Sequence, residues 1–375
     1  MAGIYFHYPF CSQACNYCNF HFSTQIKYRQ KMQQAMNGEL YLRKRELKTP
    51  IESIYFGGGS PSLLPASFFH KTIKLVKNYF KLSDNVEVTL EANPNDLSLE
   101  NLKDLKKSGV NRISLGVQSF EDDELKMMNR IHNANQALKA IEWTSKVFDN
   151  FSVDLIYGLP KSDTSSWAHN LDTLISFNPP HISTYALTVE PKTALSYQVE
   201  KGEVKLLDEE TVKFQYDLLI SRLEKASYIN YEFSNFGKFG FLSVNNSNYW
   251  SGKPYLGIGP SAHSFDGHRL RSWNISNNSK YLKSLEKECL PLSKEILKDH
   301  EVFNEYVMIG LRTNGINISR VNESFGSNYR IFLEKQVKKH LLNRRLFWDG
   351  DVLKISRHAR FLTDGIASDL FMLRS

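Results

Sequence analysis

At 375 residues the chain exceeds what one typical hydrophobic core organises and is long enough for two domains. Hydrophobic residues make up 41% and charged residues 23%, the balance of a globular protein, and four cysteines are too few for a disulfide framework of this length. The formal charge of +7 fits an anionic partner, whether nucleic acid, phospholipid or a carboxylate-bearing ligand, and does not choose among them.

No apolar run approaches the length needed to cross a bilayer. The start, Met1-Ala2-Gly3-Ile4-Tyr5-Phe6-His7, lacks the basic and long apolar regions of a signal peptide, so the expected location is cytoplasmic. The first half alternates strand-like and helix-like segments. Periodicity predicts strands over residues 3–8, 51–56, 86–90, 112–117, 151–157 and 181–186, with helices over 27–47, 66–80, 99–108, 134–147 and 165–176. Six strands separated by helices imply parallel βα units with right-handed crossovers. The expected fold is α/β, a partial (βα)6 barrel whose sheet curls without closing; an open doubly wound sheet has the same periodicity.

Past residue 187 the pattern changes. A helix over 206–225 precedes a Gly-, Asn- and aromatic-rich stretch over 231–265. Helices are predicted over 299–312 and 328–343, and a hairpin over 346–356 around Asp349-Gly350. The expected division is a core of residues 1–230 and a smaller α+β domain of residues 231–375. The basic stretch from Lys335 to Arg345 reads as a solvated helix face, so no specific nucleic-acid partner is expected.

Chemistry-bearing residues gather at strand ends. Cys11, Gly57 to Gly59, Glu91, Gln118 and Asp154 each fall at or just past the C-terminal end of a predicted strand, the rim where (βα) barrels bind ligands. Any one of the three polar side chains alone reads as a strand-end cap; together they mark a site. Cys11-x3-Cys15-x2-Cys18 supplies three soft thiolates from a short loop, which suits an iron–sulfur cluster or zinc. His21 could complete a Cys3His zinc set, although the paired short spacings of most structural zinc sites are absent.

Tyr-Phe-His-Tyr-Pro-Phe-Cys-Ser-Gln-Ala-Cys-Asn-Tyr-Cys-Asn-Phe over residues 5–20 resembles the signature of radical SAM proteins and, more narrowly, of the oxygen-independent coproporphyrinogen III oxidase group. The resemblance continues through Phe56 to Ser62, Thr89 to Pro94, Ser114 to Phe120, Asn129 to His132, Asp154 to Pro160, Tyr231 to Phe236 and Gly257 to Ser264, nearly the whole chain, and favours a cluster over zinc. It implies a [4Fe–4S] cluster on Cys11, Cys15 and Cys18, with one iron left open for S-adenosylmethionine (SAM). By the same resemblance Gly58, Gly59 and Ser60 lie along the methionine part of SAM, and Glu91 contacts it. Gln118, Arg130 and Asp154 join them, and Tyr5 and Tyr17 offer hydroxyls and flat surfaces beside the cluster and adenine. The C-terminal end resembles the family's small accessory domain, of winged-helix type.

The group has two branches. One oxidatively decarboxylates coproporphyrinogen III in porphyrin biosynthesis. The other is a haem chaperone that passes haem to respiratory-chain apoproteins. The oxidase branch carries a further cysteine two residues after the third and an extension before the cluster motif; here that position is Phe20, and Cys11 stands near the start. The resemblance therefore points to the chaperone branch, with haem as cargo and the oxidase as the alternative. Peripheral membrane contact and a homodimer stay open. The chaperone branch typically shows His-Asn-x-x-Tyr-Trp, whereas this chain reads Asn245-Asn246-Ser247-Asn248-Tyr249-Trp250. Asn246, Tyr249 and Trp250 mark the expected haem region. Asparagine is a poor iron ligand beside imidazole or thiolate, which leaves His263, His268 or Cys289 as substitutes.

Overall fold

The computed structural model describes residues 1–373. The chain begins with β1 (Ala2–Tyr8), buried almost throughout, as a parallel strand with neighbours on both sides must be. There follow α1 (Arg29–Leu42), β2 (Ile51–Gly58), α2 (Ala66–Tyr79), β3 (Leu82–Ala92), α3 (Leu99–Lys107), β4 (Arg112–Gln118), α4 (Asp122–Met127), α5 (Ala134–Val147), β5 (Phe151–Tyr157), α6 (Thr164–Ser176) and β6 (His181–Ala186). The six strands pair in chain order and parallel, with Tyr5 opposite Tyr55, Glu91 opposite Ser114 and Asp154 opposite Ser183. A doubly wound sheet would reverse strand order partway. This one does not, so the partial (βα)6 barrel is the fold.

Strand side chains alternate faces, and that period decides what β1 and β2 do. Phe6 and Phe56 stack at 4.9 Å between ring centroids, and Phe56 meets Phe69 of α2 edge-on at 5.0 Å. These rings form a buried seam between sheet and helix. Tyr5, His7 and Tyr55, one position off, fall on the opposite face. The helices are cut to match. Asn133 opens α5 with a capping box to Gln136, and Asp163 opens α6 in the same way with Ser166.

Beyond β6 come α7 (Ala194–Glu200), α8 (Glu209–Lys225), β7 (Ile229–Asn230), β8 (Asn235–Gly237), α9 (Val244–Trp250), β9 (Tyr255–Ile258), β10 (His263–Phe265), β11 (Leu270–Asn274), α10 (Asn278–Leu285) and β12 (Leu292–Ile296). Strand β9 pairs parallel with β1, and β10 and β11 turn back antiparallel beside it. Among the described residues the sheet has twelve strands, in the order β12-β11-β10-β9-β1-β2-β3-β4-β5-β6-β8-β7.

The chain divides into two compact units, residues 1–229 with 236–294, and residues 230–235 with the chain from Glu295. This corrects the expected division at 230/231. Residues 236–294 belong with the first unit because β9 gives β1 its second parallel neighbour. The second unit holds α11 (Asp299–Arg312), β13 (Ile316–Asn317), α12 (Ile318–Phe325), α13 (Ser327–Gln336), α14 (Lys338–Leu342), β14 (Leu346–Asp349), β15 (Val352–Ile355) and α15 (Thr363–Asp369). Its antiparallel sheet runs β13-β15-β14 over a core that includes Phe303, Val307, Leu333 and Leu353. The expected hairpin is there, whereas the expected single helix over 328–343 is two. A tight turn at Val337, where the His340 amide reaches back three residues at 3.0 Å, separates α13 from α14.

Truncating the ring at the centre of the aromatic seam, Phe56→Ala, should destabilise the protein by about 3–5 kcal/mol in chemical denaturation. The same change at Phe239, which is 91% exposed, should stay within about 0.5 kcal/mol.

Candidate functional site

The loop that follows β1 is held by its own backbone before any metal is considered. The Cys11 amide donates to the Ser23 carbonyl at 3.1 Å, and Ser23 donates back to Pro9 at 2.8 Å. At the far end Asn16 reaches the carbonyl oxygens of Met128 and Met127, Gln13 donates to Asn129, and Asn129 donates to the Ala14 carbonyl across the same seam. Two further amides clamp the loop to β2, since Gly59 donates to Tyr8 and Ser60 to Phe10, both at 2.7 Å. Gly59 is required here. A Cβ would stand 2.6 Å from the Phe10 carbonyl oxygen. Gly58 adopts φ +106°, and a Cβ there would meet the His7 ring at 2.7 Å. The two glycines thus answer to the chain's own packing.

Cys11, Cys15 and Cys18 all border one cavity of about 480 Å³. The same cavity is lined by Tyr17, Gly58, Gly59, Ser60, Glu91, Gln118, Arg130 and Asp154, so residues from five strand ends meet as the sequence predicts. Gln118 closes β4 at φ +72°, a conformation rare for a side-chain-bearing residue, and the β4–β5 register shifts just before it. Tyr5 is the exception. It does not line this cavity; it faces a second one and contacts the Nδ1 of His7 at 3.2 Å. Motif spacing puts Tyr5 near the cluster loop, and it shares a face with the paired Tyr55, but on β1 that face borders the second cavity while on β2 it borders the first.

Burial governs the electrostatics. It raises the Glu91 carboxyl to about 7, assisted by the nearby Asp154, while hydrogen bonds from the Tyr55 hydroxyl at 2.8 Å and the Gly58 amide at 3.1 Å pull the other way. Burial likewise raises Asp154, opposed by the hydroxyls of Ser183, Ser152 and Ser114. The Cys11 thiol is pushed up to about 11 by burial, against a hydrogen bond with Ser60, and Cys18 is raised for the same first reason. The free Cys11 and Cys18 thiols therefore stay protonated at neutral pH, so a bound metal must supply the charge that ionises them. Arg130 donates to Asn93 Oδ1 at 2.6 Å and to the Gly116 carbonyl at 2.7 Å, and one of its terminal nitrogens lies 3.4 Å from Cys15 Sγ. Its Nε is buried without a partner. Asn93, Tyr55 and the three serines escaped the sequence reading. Alternation on the cavity face could have found Tyr55, two residues before Gly57.

These residues suit a multi-iron cluster better than a single ion. Among the described residues no three His, Cys, Asp or Glu side chains are arranged around one metal. His21, the candidate fourth ligand, borders the second cavity, where its Nε2 contacts Asn278 Oδ1 at 2.7 Å. Three thiols spread around a cavity suit a cluster in which each ligates a different iron, and the partnerless Arg130 Nε is suited to an anionic or carbonyl group from a ligand.

The second cavity, about 550 Å³, lies beside α9. Asn245, Asn248 and Tyr249 line it, whereas Asn246 and Trp250 do not. Helical phase corrects the expectation, because positions 245, 248 and 249 share a face and 246 and 250 fall off it. The Asn246 amide is spent on the Ser243 hydroxyl that caps the helix, and Trp250 packs edge-on against Tyr249 at 5.3 Å. Glu87 of β3 anchors the helix start by accepting from the amides of Val244 and Asn245, both at 3.1 Å. His263 also lines this cavity, while His268 and Cys289 do not.

A parallel half-barrel with a three-cysteine loop at its rim defines a radical SAM protein, and a model of the Radical SAM superfamily matches residues 5–174. Heme chaperone HemW of Bacillus subtilis is 33% identical over 333 residues, covering 87% of this chain and 87% of that protein. Heme chaperone HemW of Buchnera aphidicola is 32% identical over 370 residues, covering 92% and 93%. The chain belongs to the HemW family. Coproporphyrinogen III oxidase (HemN) from Escherichia coli, a solved radical SAM enzyme, shares the fold at a TM-score of 0.85 and 19% identity, covering 100% of this chain and 90% of that one. No described helix is long and apolar enough to cross a membrane.

The raised Glu91 pKa has a signed consequence in metal-free protein. A carboxyl that holds its proton more tightly folded than unfolded favours the fold below about 4.5 and loses that contribution as pH rises through about 7. Between those values the stability of Glu91→Gln should fall less with rising pH than that of the wild type in urea titrations. Parallel pH curves for the two proteins would contradict the assignment.

Proposed function

We propose that this chain is a haem chaperone that carries a SAM-binding [4Fe–4S] cluster in the first cavity and haem in the second. The observation that carries the reading is the pairing of two cavities in one unit with relatives named as heme chaperones over most of the chain. Cys11, Cys15 and Cys18 would hold the cluster. With three thiolates it leaves one iron open, able to bind SAM and pass it an electron. The chain's own residues do the rest. Glu91 and Asp154 accept hydrogen bonds from ribose hydroxyls or the ammonium group, and Arg130 offers its unpaired Nε to a carboxylate. Tyr17 and Gln118 bound the adenosyl side, and Gly58 to Ser60 give main-chain surface to the methionyl part.

The second cavity suits a flat, anionic, partly apolar cargo. Tyr5, Tyr249, Tyr255 and Phe20 supply aromatic walls, and Arg271 supplies positive charge for a propionate, Lys253 being paired with Glu52 at 2.7 Å. Phe20 is 68% exposed at the border of both cavities, where the oxidase branch is expected to place a thiol. The cargo would pass to haem-requiring respiratory apoproteins from the cytoplasm, with peripheral membrane contact and a homodimer as parts of the same reading. The small C-terminal unit, with its three-stranded sheet and helices, would contact the recipient.

Anaerobic reconstitution tests the two halves separately. Wild type should gain a cluster whose spectrum changes on adding SAM, and Cys11→Ala, Cys15→Ala and Cys18→Ala should each fail to retain it in iron and sulfide analysis. Titrated haemin should give a saturable Soret shift, and the loaded protein should hand haem to an apocytochrome. Absence of any saturable shift removes the chaperone reading, and decarboxylation of coproporphyrinogen with SAM and reductant would replace it with the oxidase.

A further inference from the structure

Three imidazoles border the second cavity, and they are not equivalent. Burial lowers His7 to about 4, so its ring is neutral. Its Nε2 donates to the His21 carbonyl at 2.8 Å and its Nδ1 accepts from Tyr5 at 3.2 Å, so both nitrogens are spent. His21 uses its Nε2 on Asn278. That leaves only the Nδ1 beside the Cβ, where the histidine's own main chain crowds any planar macrocycle. His263 differs. Nothing among the described residues hydrogen-bonds either of its ring nitrogens, and the ring stacks on Trp273 at 5.8 Å with planes 22° apart.

The mount of His263 is rigid. It starts β10, pairs with Trp273 of β11, and its main chain presses on Gly257, where a Cβ would stand only 2.1 Å from the His263 carbonyl oxygen. Groups carried on strands and locked by packing hold position better than groups on loops. Burial, then the charge of Arg271, lowers its pKa below the ordinary imidazole value, which keeps the lone pair available at neutral pH. His268, by contrast, lies on an exposed turn with its amide on Asp266, and the exposed Cys289 points its sulfur to the Lys287 carbonyl.

We propose that His263 ligates the haem iron in this chain, through its outer ring nitrogen, from the strand across the cavity that Asn245 and Tyr249 also line. The assignment rests on the haem-chaperone reading above and adds the ligand. The bond is a simple donation. The neutral imidazole lone pair would bond to the ferric iron in place of a bound water, which leaves to solvent, with no change in oxidation state and no proton released. Arg271, which lines the same cavity, is placed for a propionate.

The test uses the full chain with haemin, followed by absorption and electron paramagnetic resonance. Wild type should show an imidazole-ligated ferric spectrum. His263→Ala should lose that signature and bind at least tenfold more weakly, with cluster content after reconstitution unchanged as the check on folding. His263→Tyr, which keeps an aromatic ring at this exposed position, should instead convert the spectrum to a phenolate type, so a ligand change is read even if the alanine variant folds poorly. His268→Ala and Cys289→Ala should match wild type. An unaltered spectrum in both His263 variants, or loss of the imidazole signature in His21→Ala instead, overturns the ligand assignment while leaving haem binding intact. A wild type that binds no haemin overturns both.

Discussion

The contact on which the rest of the site depends is the one between Phe10 and Gly59. The two main chains lie so close that only a missing Cβ lets them pass, and the amides of Gly59 and Ser60 seal the approach at 2.7 Å each. This fixes where the chain leaves β1 relative to the end of β2. The first cysteine comes one residue later, and so starts at the floor of the cavity. The far end of the loop is tied independently, through Asn16, Gln13 and Asn129. Both anchors are protein to protein. The chain's own hydrogen bonds thus supply part of the order of this loop, which lowers the conformational cost of binding a cluster there.

The same strand pair builds two chambers. Tyr5 and His7 of β1 face the second cavity, while Gly58 of β2 faces the first, and His7 lies directly against Gly58. Tyr5 sits 5.9 Å from Tyr55, whose hydroxyl holds Glu91 in the first cavity. Strand β3 repeats the pattern along its length, with Glu91 at its end in the first cavity and Glu87 four residues earlier carrying the start of α9 beside the second. Glu87 also stands 3.8 Å from the buried Arg112. A pair like this one is costly to break from one side, because the survivor is left charged in the interior. The wall between the cavities is thus made of groups that are already committed to each other.

Much of this was legible from residue order. Six strands and their helices emerged from periodicity because parallel strands buried on both faces and amphipathic helices write different patterns. The rim residues emerged because barrel chemistry gathers at strand ends, and Glu91, Gln118, Arg130 and Asp154 do share a cavity with the cysteines. What failed was placement around the site. Tyr5 opens the signature and shares a face with Tyr55, yet the two border different cavities, a lateral placement that a motif read as a line does not contain. Asn246 and Trp250 were assigned by motif membership, while the helix turns them off the cavity. The unit boundary failed because β9 is only four residues long, too short for periodicity to reveal, and its partner β1 lies some 250 residues earlier. Nothing in the letter Gln predicts φ +72° at position 118 either.

The asparagine at position 245 follows the same logic of frame and chemistry. Its amide is held by Glu87, a bond made by the main chain that any residue at 245 would make. Exchanging imidazole for a carboxamide at this point therefore leaves α9, its cap and the cavity outline in place and changes only the donor set. Its Oδ1 comes within 3.4 Å of the Ser53 hydroxyl, so the side chain is absorbed into the polar lining. A ligand can migrate between walls of a cavity whose frame does not depend on it. The frame here is backbone and buried carboxylate, and the imidazole with an open outer nitrogen stands on another strand. The frame of this cavity would therefore accept an iron ligand on the sheet in place of one on the helix, which is what the proposed assignment to His263 requires.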